Sequence, residues 1–235
     1  MLRLICGTFL VSIIFSAGLY AYAGSITGTV KFEGTAPHSR LIHMDADPVC
    51  YAVNKGNVHS PALVLGDNNT LGNVFVYIKS GLAKSNYPIP AEAAVITQAG
   101  CNYAPHVIGV IVGQKVKFLN PDGTLHNVRA MCQINPEFNE AMPDFRKEME
   151  VSFNKPEFMF QVQCDVHPWM QAWIAVMAHP FFAVTGPDGK FEIKNVPAGT
   201  YEIEAWHEKL GTKTATVTVK DGTAQTLDLT FSEPK

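Results

Sequence analysis

Helical periodicity is almost missing from this 235-residue chain, so a core built on amphipathic helices is excluded. A basic cluster is missing too. The chain carries 18 Lys and Arg against 21 Asp and Glu, a net charge of −3, which makes nucleic acid and anionic membrane surfaces poor partners. Catalytic signatures are also lacking. There is no Gly-x-Ser-x-Gly elbow, no His-Glu-x-x-His and no glycine-rich phosphate loop. Haem attachment through Cys-x-x-Cys-His has no counterpart, nor do the Cys-x3-Cys of a dinuclear copper site or the His-x-His pairs of multicopper oxidases. These gaps predict a protein that is not an enzyme.

The first 23 residues read as an export signal: Arg3, an apolar run from Leu4 to Leu19, and Ala21-Tyr22-Ala23 ahead of Gly24. The run is short for a spanning helix, so no integral membrane span is expected after cleavage, and the mature chain is placed in the periplasm or at the cell surface. Cys6 lies too early to be a lipid attachment point. Cleavage leaves 212 of the 235 residues and removes only Arg3, taking the charge to −4. Four cysteines remain: Cys50, Cys101, Cys132 and Cys164. In an oxidising compartment an even count first suggests two disulfides. If Cys164 is a metal ligand, one pair and one odd thiol are left, and Cys50 with Cys101 is the favoured pair because Cys132 follows a proposed ligand loop.

Alternation at period two organises the rest. Ile26, Gly28, Val30 and Phe32 alternate with Thr27, Thr29, Lys31 and Glu33. Residues 38–72 are irregular. A strand resumes over Asn73 to Lys79, and residues 83–91 read as a linker. From about Ala93 the pattern is compact: Val107 to Val112, then Val116 and Phe118, then a turn over Asn120 to Gly123 leading to His126. Residues 133–150 read as a long loop. Phe158, Phe160, Val162 and Cys164 share one strand face, and Trp173 to Ala178 reads as a further strand. Five short strands with Asp-Gly and Pro-x-Gly turns follow, over Phe182–Thr185, Phe191–Ile193, Tyr201–Ala205, Thr214–Val219 and Leu227–Phe231. The chain divides into residues 24–90, joined to a second sandwich, a central β-domain over 91–180, and the second sandwich proper over 181–235.

The chemistry is concentrated in Cys164-Asp165-Val166-His167-Pro168-Trp169-Met170. Thiolate, imidazole and thioether are soft or borderline ligands, and a trigonal His2Cys set with a weak axial Met suits a mononuclear electron-transfer copper centre. The second imidazole is His126, in Leu125-His126-Asn127-Val128. Pro168 fixes φ near −65° and stiffens the ligand loop. Competing readings stay open here: Cys164 bonded to Cys132, and Met170 as ordinary core. His106 is read as structural rather than as a second metal site. His179 and His207 are read as core hydrogen bonders where the two units meet, and His38, His43 and His59 as solvated loop residues.

Two resemblances add to this reading. Val107 to Met177 resembles the cupredoxins, most closely the amicyanin type, in Val112-Gly113-Gln114-x-Val116-x-Phe118-x-Asn120, His126-Asn127-Val128 and Cys164-x-x-His167-Pro168-aromatic-Met170. It departs at Val162, where many blue copper proteins carry Tyr or Phe. The resemblance implies one type 1 copper on His126, Cys164, His167 and Met170, and implies that Asn127 ties the two ligand loops together. The C-terminal strands, with Gly189-Lys190-Phe191 and Pro197-Ala198-Gly199-Thr200-Tyr201, resemble the carboxypeptidase regulatory-like (transthyretin-like) sandwich. Its Gly-x-Val first strand corresponds to Gly28-Thr29-Val30. The expected fold is therefore all-β: a cupredoxin-type Greek-key sandwich inserted into a second small β-sandwich. The expected function is single-electron transfer between protein partners docking at Trp169, with Trp173, around an exposed edge of His167. Non-redox copper binding or delivery and a structural interaction module are the rivals.

Overall fold

A computed structural model describes residues 23–35, 40–56 and 58–233. The export signal read over 1–23 thus lies, except for Ala23, outside the described residues, as does His38. The chain opens with β1 (Gly24–Glu33) and β2 (Phe75–Ser80), separated by a segment holding the short helix α1 (Pro48–Asn54). The central stretch contains β3 (Ala94–Thr97), β4 (Val107–Ile111), β5 (Lys115–Leu119), β6 (His126–Ala130), β7 (Phe138–Met142), β8 (Glu148–Ser152), β9 (Glu157–Gln163) and β10 (Gln171–Met177). The chain closes with β11 (Phe182–Val184), β12 (Lys190–Val196), β13 (Gly199–His207), β14 (Gly211–Val219), β15 (Ala224–Thr226) and β16 (Leu229–Ser232).

The fold is all-β, as two sandwiches. In the first, the sheet β4-β10-β9-β6-β7 faces the sheet β3-β5-β8 across a core that includes Ile96, Val116, Phe118, Val128, Phe160, Val162 and Ile174. In the second, β12-β1-β15, with β16 also on β1, faces β11-β2-β13-β14 across Ile26, Val30, Val76, Ile78, Ile203 and Phe231. Among the described residues, strands β1 and β2 pair only with strands that follow residue 181.

Three local readings change. Residues 133–150 are not a long loop but carry β7, paired with β6, and the start of β8, paired with β5. Their polar, mostly exposed residues hide the alternation. The irregular stretch contains α1, started by Asp47 as N-cap and Pro48 in its first turn, a signal of the usual kind. Residues 42, 44, 50 and 58 of that stretch pack on the first core, not the second. Finally, Met159 takes a positive φ of 53° and the β9–β10 register shifts beside it. Phe158 is thereby taken off the face of Phe160 and Val162, and Met159 is buried on the other side, in the cluster between the sandwiches.

The sandwiches are glued face to face. Phe75, Tyr77, Val107, Met159, Ala175 and Met177 form a third cluster, with Trp173, Phe182 and Trp206 against it. This explains why Phe75 to Ile78 is buried at every position: one face serves its own sandwich and the other serves the neighbour. Gly109 makes the approach possible, because a Cβ there would lie 2.5 Å from the Phe182 ring and 2.6 Å from that of Phe75.

Candidate metal centre

His126 opens β6 just after the Asn120 to Thr124 turn, which is held by the Asn120 side-chain amide donating to the carbonyls of Thr124 (3.1 Å) and Met142 (2.8 Å). Cys164 lies one residue beyond β9. Its amide donates to the Met170 carbonyl at 3.1 Å, and the Met170 amide donates to the His167 carbonyl at 2.9 Å. The ligand loop thus closes on itself. Exposure is 0% for His126, 1% for Cys164, 1% for His167 and 0% for Met170, so nothing at the centre meets bulk water.

The side chains converge. Nδ1 of His126 is 2.9 Å from Nδ1 of His167, and Sγ of Cys164 is 3.8 Å from the latter. One ligand atom from each of the three lies within 4.8 Å of the others. Bonds of about 2.0 Å to nitrogen and about 2.3 Å to sulfur put the ligand atoms of one metal roughly 3–4 Å apart, so these residues fit a single soft-to-borderline ion. Met170 is buried in the same core cluster. Asn127 joins the two loops: its Oδ1 accepts from the Asp165 amide at 2.7 Å, the Val166 amide at 3.3 Å and the Cys164 sulfur at 3.3 Å.

An outer layer surrounds them. Asp122 Oδ2 lies 3.0 Å from Nε2 of His126, and Asp47 Oδ2 lies 3.0 Å from Nε2 of His167. Asp47, Cys50 and His167 converge, as do Cys101, Asp122 and His126. Those two sulfurs are joined in the Cys50–Cys101 disulfide, so they are neighbours of the centre and not thiolate ligands. That pairing is the one favoured from the sequence, and Cys132 is the remaining free thiol besides Cys164 among the described residues. Burial and nearby carboxylates push the Cys132 thiol up to about 12, which leaves it inert.

The buried groups shift one another's ionisation. Burial alone would lower His126, but Asp122 and the Cys164 sulfur outweigh it and bring it up to about 9. Burial opposes ionisation of Cys164, yet His126 and the surrounding hydrogen bonds pull its thiol below the usual range. Burial would raise Asp47, but the helix amides and His167 hold it down to about 2.

Two expectations about access are overturned. His167 has no exposed edge, because Asp47 and the disulfide cover it: Cys50 Sγ is 3.5 Å from Nε2. Trp173 is not near the centre. It lies among the residues between the sandwiches, with its ring 5.3 Å from that of Trp206. Trp169 does adjoin the centre. Its ring is 5.1 Å from His167 and its indole N–H donates to the Cys101 carbonyl. Trp169 also lines a cleft of about 810 Å³, with Leu41, Pro168, His106, Glu208 and Lys209 among its walls. His106 is buried and bonded to Glu208 and to the Gln171 carbonyl. His207 is fully buried and His43 and His59 are exposed. The sequence reading missed Asp47 and Asp122. The Asp-Pro helix start and an acid four residues before His126 were their only local signals.

Residues 173–232 match the carboxypeptidase regulatory-like domain. That stretch begins inside β10, covers β11 to β16, and omits β1 and β2, which complete the same sandwich. No curated protein matches the chain. Among solved structures, an amicyanin variant in its Cu(I) form is similar over 43% of this chain and 98% of its own, at 19% identity and a TM-score of 0.34. A copper-containing nitrite reductase from Thermus scotoductus is similar over 42% of this chain and 25% of its own, at 20% identity and a TM-score of 0.34. The present chain spans about a quarter of that enzyme's length. No helix among the described residues is long and apolar enough to cross a membrane. The disulfide fits an oxidising compartment.

Proposed function

We propose that this is an exported electron carrier holding one type 1 copper on His126, Cys164 and His167, with Met170 as weak fourth ligand, and that it is not an enzyme. The observation that carries the reading is the convergence of two Nδ1 atoms and one buried sulfur. Copper supplies a one-electron couple when bound; thiolate and thioether favour its reduced state and imidazole serves both. The chain's part is to keep the donors fixed and dry. The Asn127 bridge, the closed Cys164–Met170 loop and the surrounding β-strands limit ligand movement when charge changes.

With the His167 edge covered, Trp169 is the route by which a redox partner in the periplasm or at the cell surface would reach the centre. Its cleft is where such a partner would dock. Burial of all four donors favours a retained centre over delivery of copper to an acceptor, which needs a ligand within reach. Protein loaded with Cu(II) is expected to show an intense visible thiolate-to-copper band, reversibly bleached by ascorbate and lost in Cys164→Ala. A colourless protein binding only Cu(I) would overturn the carrier reading in favour of storage, and absence of stoichiometric copper would overturn both.

A further inference from the structure

The two carboxylates behind the imidazoles come from separate places and meet through one covalent bond. Asp47 caps α1, with Oδ1 accepting the amides of Val49 (2.8 Å) and Cys50 (3.0 Å) and Oδ2 facing His167. Asp122 accepts the amides of Gly100 (2.9 Å) and Cys101 (2.8 Å) and faces His126. The Cys50–Cys101 disulfide joins the two amide cradles, and Thr124 Oγ1 reaches Asp47 Oδ2 at 3.3 Å. An ionised carboxylate only accepts, so each Nε2 must carry a hydrogen. Each Nδ1 then turns toward the other and toward Cys164.

We infer that Asp47 and Asp122 are positioning residues of the metal centre, a disulfide-clamped pair that fixes both imidazoles in the Nε2–H tautomer and strengthens them as donors to Cu(II). The inference rests on the copper reading for its ligand and on the hydrogen bonds alone for the tautomers. Outer carboxylates of this kind set ring orientation and ligand basicity in metal sites, and their loss costs about 10–100-fold in affinity. Here they also close the centre, since Asp47 occupies the side of His167 that would otherwise face solvent.

The decisive comparison is Asp47→Asn against Asp47→Ala. Asparagine is as good an N-cap as aspartate, whereas alanine is not. In Asp47→Asn the carboxamide oxygen stays with the Val49 and Cys50 amides, and the carboxamide nitrogen faces Nε2. That forces the opposite tautomer and points an N–H at the metal, a wrong-tautomer effect known from buried Asp–His pairs. The expected result is a crossed order. Asp47→Asn keeps the melting temperature better than Asp47→Ala but binds Cu(II) more weakly, by about 10–100-fold relative to wild type. A purely structural role predicts that Asp47→Ala is the worse variant by both measures, and that outcome, or unchanged copper affinity in Asp47→Asn, overturns the inference. Long-range nitrogen–proton NMR on metal-free protein gives an independent readout. His167 is expected as Nε2–H in wild type and as Nδ1–H in Asp47→Asn, and no change of tautomer also overturns it. If wild type took up no copper, the copper reading would fail while the tautomer measurement still decided the hydrogen-bond pair. Each tenfold loss of Cu(II) affinity unmatched in Cu(I) raises the midpoint potential by about 59 mV.

Discussion

The side-chain oxygen of Asn127 lies 3.3 Å from the sulfur of Cys164 while also accepting the amides of the next two residues. One side chain from the His126 strand therefore shapes the loop that carries the other candidate ligands. Asn127→Ala removes the acceptor of two part-buried amides on the exposed residues Asp165 and Val166, which water can then reach. The expected cost is about 0.5–1.5 kcal/mol per lost hydrogen bond, read by denaturant melts of the metal-free protein, with a shifted visible band in the copper form.

Gly109 and Phe182 test the glue between the sandwiches. Adding a Cβ at 109 drives it into the Phe182 and Phe75 rings at 2.5–2.6 Å. Overpacking of this kind costs about 1–3 kcal/mol. Gly109→Ala should lower thermal stability and leave the copper spectrum unchanged, because the contact lies outside the ligand core.

The disulfide crosses 51 residues, and by the loop-entropy model its removal costs about 4 kcal/mol. In Cys50→Ser with Cys101→Ser, α1 loses its tether. Hydrogen exchange of residues 47–55 should rise more than that of β6 and β9. Equal rises across all three would show that the helix is not held there by the bond.

His207 sets an acid limit on stability. Burial pulls its imidazole down to about 4, against about 6.5 in the unfolded chain. Between those values the unfolded state binds the extra proton, so stability is full above about pH 6.5 and falls as pH drops toward about 4. The loss amounts to about 3 kcal/mol. Melts of wild type and His207→Gln across that pH window should converge on acidification. Parallel curves would rule out this imidazole as the source.

Short-range chemistry was readable in the chain. The spacing from Cys164 to Met170 fixes the ligand loop by itself, since its hydrogen bonds run between residues three and six apart. Alternation placed most strands, and leftover-cysteine reasoning found Cys50–Cys101. Alternation failed where one strand serves two cores, as at Phe75 to Ile78, and where a positive φ at Met159 reverses the faces around Phe158. It also failed at β7, whose exposed polar residues carry no period.

The sequence by itself determined an all-β chain and a set of candidate soft ligands at the spacing of one metal site, because periodicity and residue spacing are local properties. Only the tertiary structure decided what surrounds that set. Asp47 stands 120 residues from His167, and no local pattern relates them. They meet because a helix cap, a disulfide and a packed Met44 bring the early segment over the centre. The same burial removes the open His167 edge and leaves Trp169 beside the candidate ligands at the wall of the neighbouring cleft.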